Sequence, residues 1–216
     1  MLDFTLPYYG VLMVQEHPEE APAAALPEGF SFRRWEPGLE TEWAALMDRT
    51  EMMADYETGL SYFRGEFLSR PEELPERMLY VCSPEGETAG TASLWMGGKL
   101  GPGRCRLHWV AVDPRFEGRG IAKAMIAELL SRRERLGGPE PLYLATQTWS
   151  WRAISLYTRF GFRPYLGPQP DGWTLQNPQS TFAEENRTAW ELIAGKLEHR
   201  NFRQYLRPAV PKEETV

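Results

Sequence analysis

His108-Trp109-Val110-Ala111-Val112-Asp113-Pro114-Arg115-Phe116-Glu117-Gly118-Arg119-Gly120 reads as a buried strand that stops at Asp113-Pro114 and turns through a glycine-containing loop into a helix. The helix shows itself by apolar residues at Ile121, Met125 and Leu129, with Ala122, Ile126 and Leu130 beside them, which is helical spacing. A loop of this kind leaves backbone N–H groups unpaired at the positive end of a helix, and such a place binds an anion, most often a phosphate. Three loop types meet that description. A P-loop ends in Gly-Lys-Ser/Thr, whereas this one ends Gly120-Ile121-Ala122. A dinucleotide fingerprint needs glycine at three set places near the start of a βαβ unit; with Gly118 as its middle, Phe116 fills the first place, and the loop lies past the midpoint of the chain.

The remaining pattern is Arg115-x-x-Gly118-x-Gly120. About thirty residues later comes Ser150-Trp151-Arg152-Ala153-Ile154-Ser155-Leu156-Tyr157-Thr158-Arg159-Phe160-Gly161-Phe162. Together the two stretches resemble the two signatures of the Gcn5-related N-acetyltransferases (GNAT): an Arg/Gln-x-x-Gly-x-Gly/Ala loop, and Asn-x-x-Ala-x-x-Leu-Tyr-x-x-x-Gly-Phe with Ser150 in the asparagine place. The resemblance implies an α/β fold with a central mixed sheet, helices on both faces and a splayed parallel strand pair. It also implies acetyl-CoA as acyl donor, with no metal. The backbone of Val110, Ala111 and Val112 would pair with the pantetheine amides. The loop Arg115, Phe116, Glu117, Gly118, Arg119, Gly120, Ile121 and Ala122 would take the pyrophosphate, with Ser150 and Ala153 of the second signature beside it. Gly118 and Gly120 matter because a β-carbon would block close approach of a phosphate.

Around this centre, 216 residues suffice for one well-filled core with extensions at both ends. The expected division is 1–27 as an N-terminal strand and linker, 28–166 as the acetyltransferase domain, and 167–216 as an extension. The net charge of −6 and a pI near 5.3 argue against a broad electrostatic grip on nucleic acid. Cys82 and Cys105 form no framework of bridges and read as small strand residues, which suits a cytoplasmic protein. Neither a signal peptide nor a membrane-spanning run is expected. A monomer and a homodimer are both compatible with the sequence.

The pattern along the chain predicts an edge strand within residues 1–14, interrupted by Pro7 and Gly10, and a linker from Glu16 to Glu28. Phe30–Trp35 reads as a strand. A helix follows with Leu39, Trp43, Leu46 and Met47 on one face, and a second covers Gly59 to Ser69. Strands are expected at Met78–Cys82, Thr88–Trp95 and Arg104–Val112, then a helix from Gly118 to Arg135 ended by Gly137-Gly138-Pro139. A strand at Pro141–Thr146, the second-signature helix and a strand near Phe162–Tyr165 complete the order. Strand–helix–strand in the middle implies a parallel pair there. Beyond Gly167, Thr181 with Glu184 forms a capping-box pattern before a helix whose Trp190, Ile193 and Leu197 face inward.

The chemistry implied is acetyl transfer to a primary amine of a small molecule or peptide. Transfer is direct within a ternary complex, because no cysteine is placed to carry the acyl group. Tyr157 occupies the position from which a family tyrosine protonates the leaving thiolate and is the first candidate for a side chain that acts directly, the alternative being a packed helix residue. His108, three residues before Ala111, reads either as a base that deprotonates the amine or as a hydrogen-bonded strand residue. Arg106 stands where the histone-modifying branch keeps a glutamate. For the acceptor, Asp48, Glu51 and Asp55 fall on one helical face, either to attract a cationic amine or as a solvated face. Trp109, Trp149 and Trp151, with Thr146-Gln147-Thr148, are placed near the cleft mouth, either as an apolar or cation-binding wall or, the preferred reading for any single one, as packed residues. A CoA-binding sensor or interaction module without turnover is the alternative function.

Overall fold

The computed structural model describes residues 2–15, 22–136 and 141–206. Its strands are β1 (Gly10–Gln15), β2 (Ser31–Arg34), β3 (Met78–Cys82), β4 (Thr88–Gly97), β5 (Arg104–Val112), β6 (Leu142–Gln147) and β7 (Arg163–Pro164). The helices are α1 (Leu39–Arg49), α2 (Tyr56–Glu66), α3 (Leu74–Arg77), α4 (Ile121–Leu136), α5 (Trp151–Tyr157) and α6 (Phe182–Lys196). One sheet runs β2-β3-β4-β5-β6-β1-β7. Every neighbouring pair is antiparallel except β5 and β6, which are parallel as the strand–helix–strand order requires.

The pleat sorts the core onto both faces of the sheet, because alternate residues of a strand face opposite sides. Met78 and Tyr80 of β3 join Leu39, Trp43, Leu46 and Met47 of α1 and Phe63 of α2 on one face. Leu79 and Val81 join Ile121, Met125, Ile126 and Leu129 of α4 on the other, with Ile154 and Tyr157 of α5 and Trp190 and Ile193 of α6. Each large side chain buried this way stabilises the fold by roughly 1.5–3 kcal/mol. The apolar spacing that predicted α1 and α4 therefore marks the faces that meet the sheet.

The first strand is not at an edge. Pro7 and Gly10 fall before it and at its start, so residues 10–15 are free to pair on both sides. Gly10–Gln15 lies antiparallel to Gln147–Leu142, and Met13 and Val14 face Pro164 and Arg163 of β7. Val11, Leu12 and Met13 are fully buried. The proline-tolerant edge position goes to β7, which carries Pro164.

Helix limits also move for local reasons. α2 starts at Tyr56 rather than Gly59 because the Asp55 side chain accepts from the Thr58 N–H at 2.7 Å. α4 starts at Ile121 because Gly118 (φ 75°) and Gly120 (φ 87°) are left-handed and stay in the loop. The capping box at Thr181 and Glu184 starts α6 as its sequence pattern predicts, and Trp190, Ile193 and Leu197 are buried. The Gly137-Gly138-Pro139 stop and part of the 16–28 linker lie outside the described residues.

Candidate active site

β4 and β5 change register in mid-strand: Thr91 faces Ala111, but Ser93 faces His108. Two steps along β4 are thus matched by three along β5, a β-bulge, and Trp109 sits within it at φ 48°. A left-handed tryptophan costs of order 1–3 kcal/mol, sustained by the packing of its indole against Trp43 and Tyr62 at centroid distances of 5.7 and 5.2 Å. Beside the bulge β5 parts from β6. Arg106 with Tyr143 is the pair that joins them, and toward Val112 the β6-facing edge of β5 has no further ladder pair among the described residues. This is the splayed parallel pair the sequence implies.

The gap opens into a cleft of about 680 Å³ at the C-terminal ends of β5 and β6. Val110, Ala111, Val112, Phe116, Glu117, Gly118, Gly120, Ile121, Ala122, Ser150, Ala153 and Tyr157 all line it. The loop between β5 and α4 divides in two. The amides of Arg115 and Phe116 are used within the turn, donating to the Asp113 carboxylate at 3.0 Å and the Asp113 carbonyl at 2.8 Å. Those of residues 118–123 have no acceptor among the described residues, and Ala124 is the first to close the helix, onto the Gly120 carbonyl at 3.0 Å. A β-carbon added at Gly118 or Gly120 would meet no protein atom within 4 Å. The space in front of these amides is open.

Arg115, expected with this loop, stands apart from the open amides. Its guanidinium binds Asp113 at 3.0 and 3.1 Å and Glu87 at 3.0 Å, and it is not among the cleft residues. Asp113, 1% exposed, also accepts from Arg49 at 2.8 Å, tying the end of α1 to the start of the loop. Burial raises its carboxyl, but the hydrogen bonds from the Arg115 side chain and amide and from Arg49 outweigh that and hold it at about 2. Arg119 is exposed and lies 5.6 Å over the Phe116 ring. Lys123, Arg152 and Arg159 bring cations to the cleft from α4, α5 and the turn after α5.

Tyr157 lies at the end of α5, 8% exposed, with no hydrogen-bond partner for its hydroxyl among the described residues. Burial raises its phenol, so the hydroxyl keeps its proton at neutral pH. Ser150 precedes α5 without capping it, because a 3-10 turn over Thr148–Ser150 comes first, and its side chain borders the cleft. His108 does not line the cleft. Its Nε2 is 3.1 Å from the Tyr62 hydroxyl, and burial, with Arg106 nearby, holds the imidazole well below its usual value and neutral at pH 7.

Three acceptor-side expectations change. Asp48, Glu51 and Asp55 share no helical face, since α1 ends at Arg49, Glu51 is left-handed at φ 56°, and Asp55 caps α2. Of the three, Glu51 alone reaches the cleft. Trp149 and Trp151 form no open wall: their indole N–H groups donate to the Leu6 carbonyl at 2.8 Å and the Asp3 carboxylate at 2.9 Å. Trp109 packs on the α1 and α2 side. Leu2, Phe4, Arg49, Thr50, Met52, Leu156 and Arg159 also line the cleft without having been legible as site residues. Only the mixed apolar and acidic run Thr50-Glu51-Met52-Met53 between two helices offered a signal for part of this set.

Residues 39–162 match the acetyltransferase (GNAT) family. An N-alpha-acetyltransferase RimI of Mycobacterium tuberculosis is 34% identical over 85 residues, 39% of this chain and 51% of that protein. A mycothiol acetyltransferase of Pseudarthrobacter chlorophenolicus is 28% identical over 164 residues, 71% of this chain and 50% of that one. The crystal structure of a GCN5-related N-acetyltransferase from Sphaerobacter thermophilus superposes with a TM-score of 0.57 at 24% identity, covering 72% of this chain and 48% of that one. The chain thus spans about half the length of each of these relatives. With the family's two signatures on one cleft and its profile covering more than half the sequence, the chain belongs to the GNAT acetyltransferase family.

Proposed function

We propose that this chain is an N-acetyltransferase that moves an acetyl group from acetyl-CoA to a primary amine of a small molecule or peptide. The observation that carries this reading is the row of amides at 118–123 without acceptors among the described residues, five of whose six residues, all but Arg119, line the same cleft as the gap between β5 and β6. A pyrophosphate matches these amides in charge and hydrogen-bonding sense, and each charge-assisted bond nets roughly 1.5–3 kcal/mol. Lys123, Arg152 and Arg159 supply the cations around it. The unpaired edge of β5 at Val110–Val112 offers the N–H and C=O groups that a pantetheine arm needs, in the manner of an added strand.

When bound, acetyl-CoA supplies a thioester, an acyl carbon already activated toward an amine. The chain's own contribution begins with holding the two reactants together, worth up to ~7–11 kcal/mol. Tyr157 keeps a proton on its hydroxyl at neutral pH and gives it to the departing sulfur, and the phenolate so formed takes a proton back from solvent through the cleft that Tyr157 lines. His108 carries no step in this reading, because its Nε2 faces Tyr62 and its ring lies outside the cleft lining. The acceptor's proton leaves to solvent at the cleft mouth.

A panel of primary amines incubated with acetyl-CoA and the protein tests the proposal. Thiol release that depends on the amine, with the amine gaining the mass of an acetyl group, is expected. CoA binding without amine-dependent release would leave a binding module and overturn the enzyme reading.

A further inference from the structure

We infer that Trp109 is a positioning residue of the donor site: the seat of its indole between α1 and α2 holds residue 109 left-handed in the β5 bulge, and this keeps the backbone of Val110 and Val112 turned to the gap beside β6. The inference rests on the acetyl-CoA reading above. β4 and β5 stay paired on both sides of the bulge, Ser93 with His108 before it and Thr91 with Ala111 after it. Beyond it the Asp113 N–H donates to the Ala89 carbonyl of β4 at 2.9 Å. In a trans peptide the C=O points opposite to the N–H, so the Val112 carbonyl faces the gap. The alternation of a strand turns the N–H and C=O of Val110 to that same edge. Both valines line the cleft.

The hand of residue 109 is the unusual feature. A bulge whose first residue is left-handed ordinarily takes glycine there, because that region disfavours a β-carbon. This chain places tryptophan at φ 48° instead. A seat of aromatic rings holds it against the backbone's own preference. The indole meets Trp43 of α1 at 5.7 Å and Tyr62 of α2 at 5.2 Å, both edge-on, and those two rings stack on each other at 6.1 Å. Trp43 is fully buried and packs against Phe63 and Phe67, so the seat is fixed. His108 beside it is held twice. Its Nε2 is 3.1 Å from the Tyr62 hydroxyl, and its carbonyl accepts from the Ser93 hydroxyl at 3.0 Å. Trp109 itself does not line the cleft, so its part in the donor site passes through the strand. Without the seat, a residue with a β-carbon relaxes to the right-handed form of bulge, which re-aims the carbonyl of 109 and the N–H of Val110. Apparent CoA affinity then falls with the fraction of molecules that keep the left-handed form.

Calorimetric titration of CoA into the full chain and into Trp109→Ala, Trp109→Gly and Trp109→Phe tests this. Trp109→Ala should weaken CoA binding about 5- to 30-fold, which is the disfavour of a left-handed alanine expressed as a population. Trp109→Gly has no β-carbon and should bind within about threefold of the wild type. Trp109→Phe keeps a ring in the seat and should do the same, again within about threefold. The alanine and glycine variants both lose the packed indole and should both melt below the wild type. A role in packing alone would weaken CoA binding alike in these two, with affinity following the melting temperature. Amide hydrogen exchange of the wild type gives a readout that needs no variant and decides the matter should neither of them fold. Bound CoA should slow exchange at Val110 and Val112 at least about tenfold and leave Ala111, which pairs with β4, unchanged. The inference is overturned if Trp109→Ala binds CoA like the wild type, if Trp109→Gly is as weak as Trp109→Ala, or if bound CoA leaves the Val110 and Val112 amides unprotected. Each of those results leaves CoA binding by the wild type intact. A wild-type protein that binds no CoA removes the acetyltransferase reading and this inference with it.

Discussion

Replacing Asp113 by asparagine removes a negative charge that is 1% exposed and that two arginines from different elements share. A carboxyl held at about 2 against its ordinary value of 3.8 stabilises the folded state by about 2 kcal/mol at neutral pH. Because Arg49 and Arg115 are 39% and 52% exposed, solvent screens them, and that figure is an upper one. The sign follows from the depressed value. Stabilisation is complete above pH 3.8 and is lost as pH falls through about 2, so about half of it remains at pH 3. Urea unfolding of wild type and Asp113→Asn at pH 7 and pH 3 measures this directly, and the difference between the two proteins cancels the carboxylates they share. The expected gap is about 2 kcal/mol at pH 7 and about half as large at pH 3. A gap that is the same at both pH values, or below about 0.5 kcal/mol at pH 7, would refute the clamp.

Gly118→Ala places a methyl group in open space, so its cost to the fold is the left-handed backbone alone, about 1–2 kcal/mol, while CoA affinity should fall at least about tenfold in a calorimetric titration. Tyr157→Phe should lower kcat about 10- to 100-fold and leave CoA binding nearly intact, which single-turnover kinetics would separate from slow product release. Gly97→Ala would drive a β-carbon into the Tyr143 hydroxyl where β5 and β6 still pair, and should destabilise the protein by about 1–3 kcal/mol in a thermal melt. Thr181→Ala removes the capping box of α6 and should cost about 1 kcal/mol by the same measurement.

What the sequence disclosed and what it hid have separate physical origins. Gly118 and Gly120 were readable because the turn they make is local: left-handed backbone and an open approach are properties of those residues themselves. The same holds for the Thr181 capping box and the apolar faces of α1 and α4. Position in the sheet is not local. Residues 10–15 carry a pattern that suits an edge or an interior strand, and only β6 and β7, more than a hundred residues away, make it interior. The engagement of Arg115 is only half local: Asp113 lies two residues away, but its other partner, Glu87, comes from a different turn. The acids after α1 misled because Glu51 is left-handed, a conformation that glutamate does not advertise, and this breaks the helical spacing assumed for Asp48, Glu51 and Asp55. Trp149 and Trp151 suit either a ligand wall or packing by sequence alone, and what decides for packing is the 2–6 segment that their indole N–H groups bind, which no spacing rule connects to them.

Calorimetric titration of CoA, acetyl-CoA and NAD⁺ into the intact protein, repeated with Gly118→Ala, tests the central claim most directly. The account predicts one-to-one binding of both CoA species, weakened by the substitution, and no binding of NAD⁺. A protein that binds neither CoA species, or that binds them equally well with alanine at position 118, would contradict it.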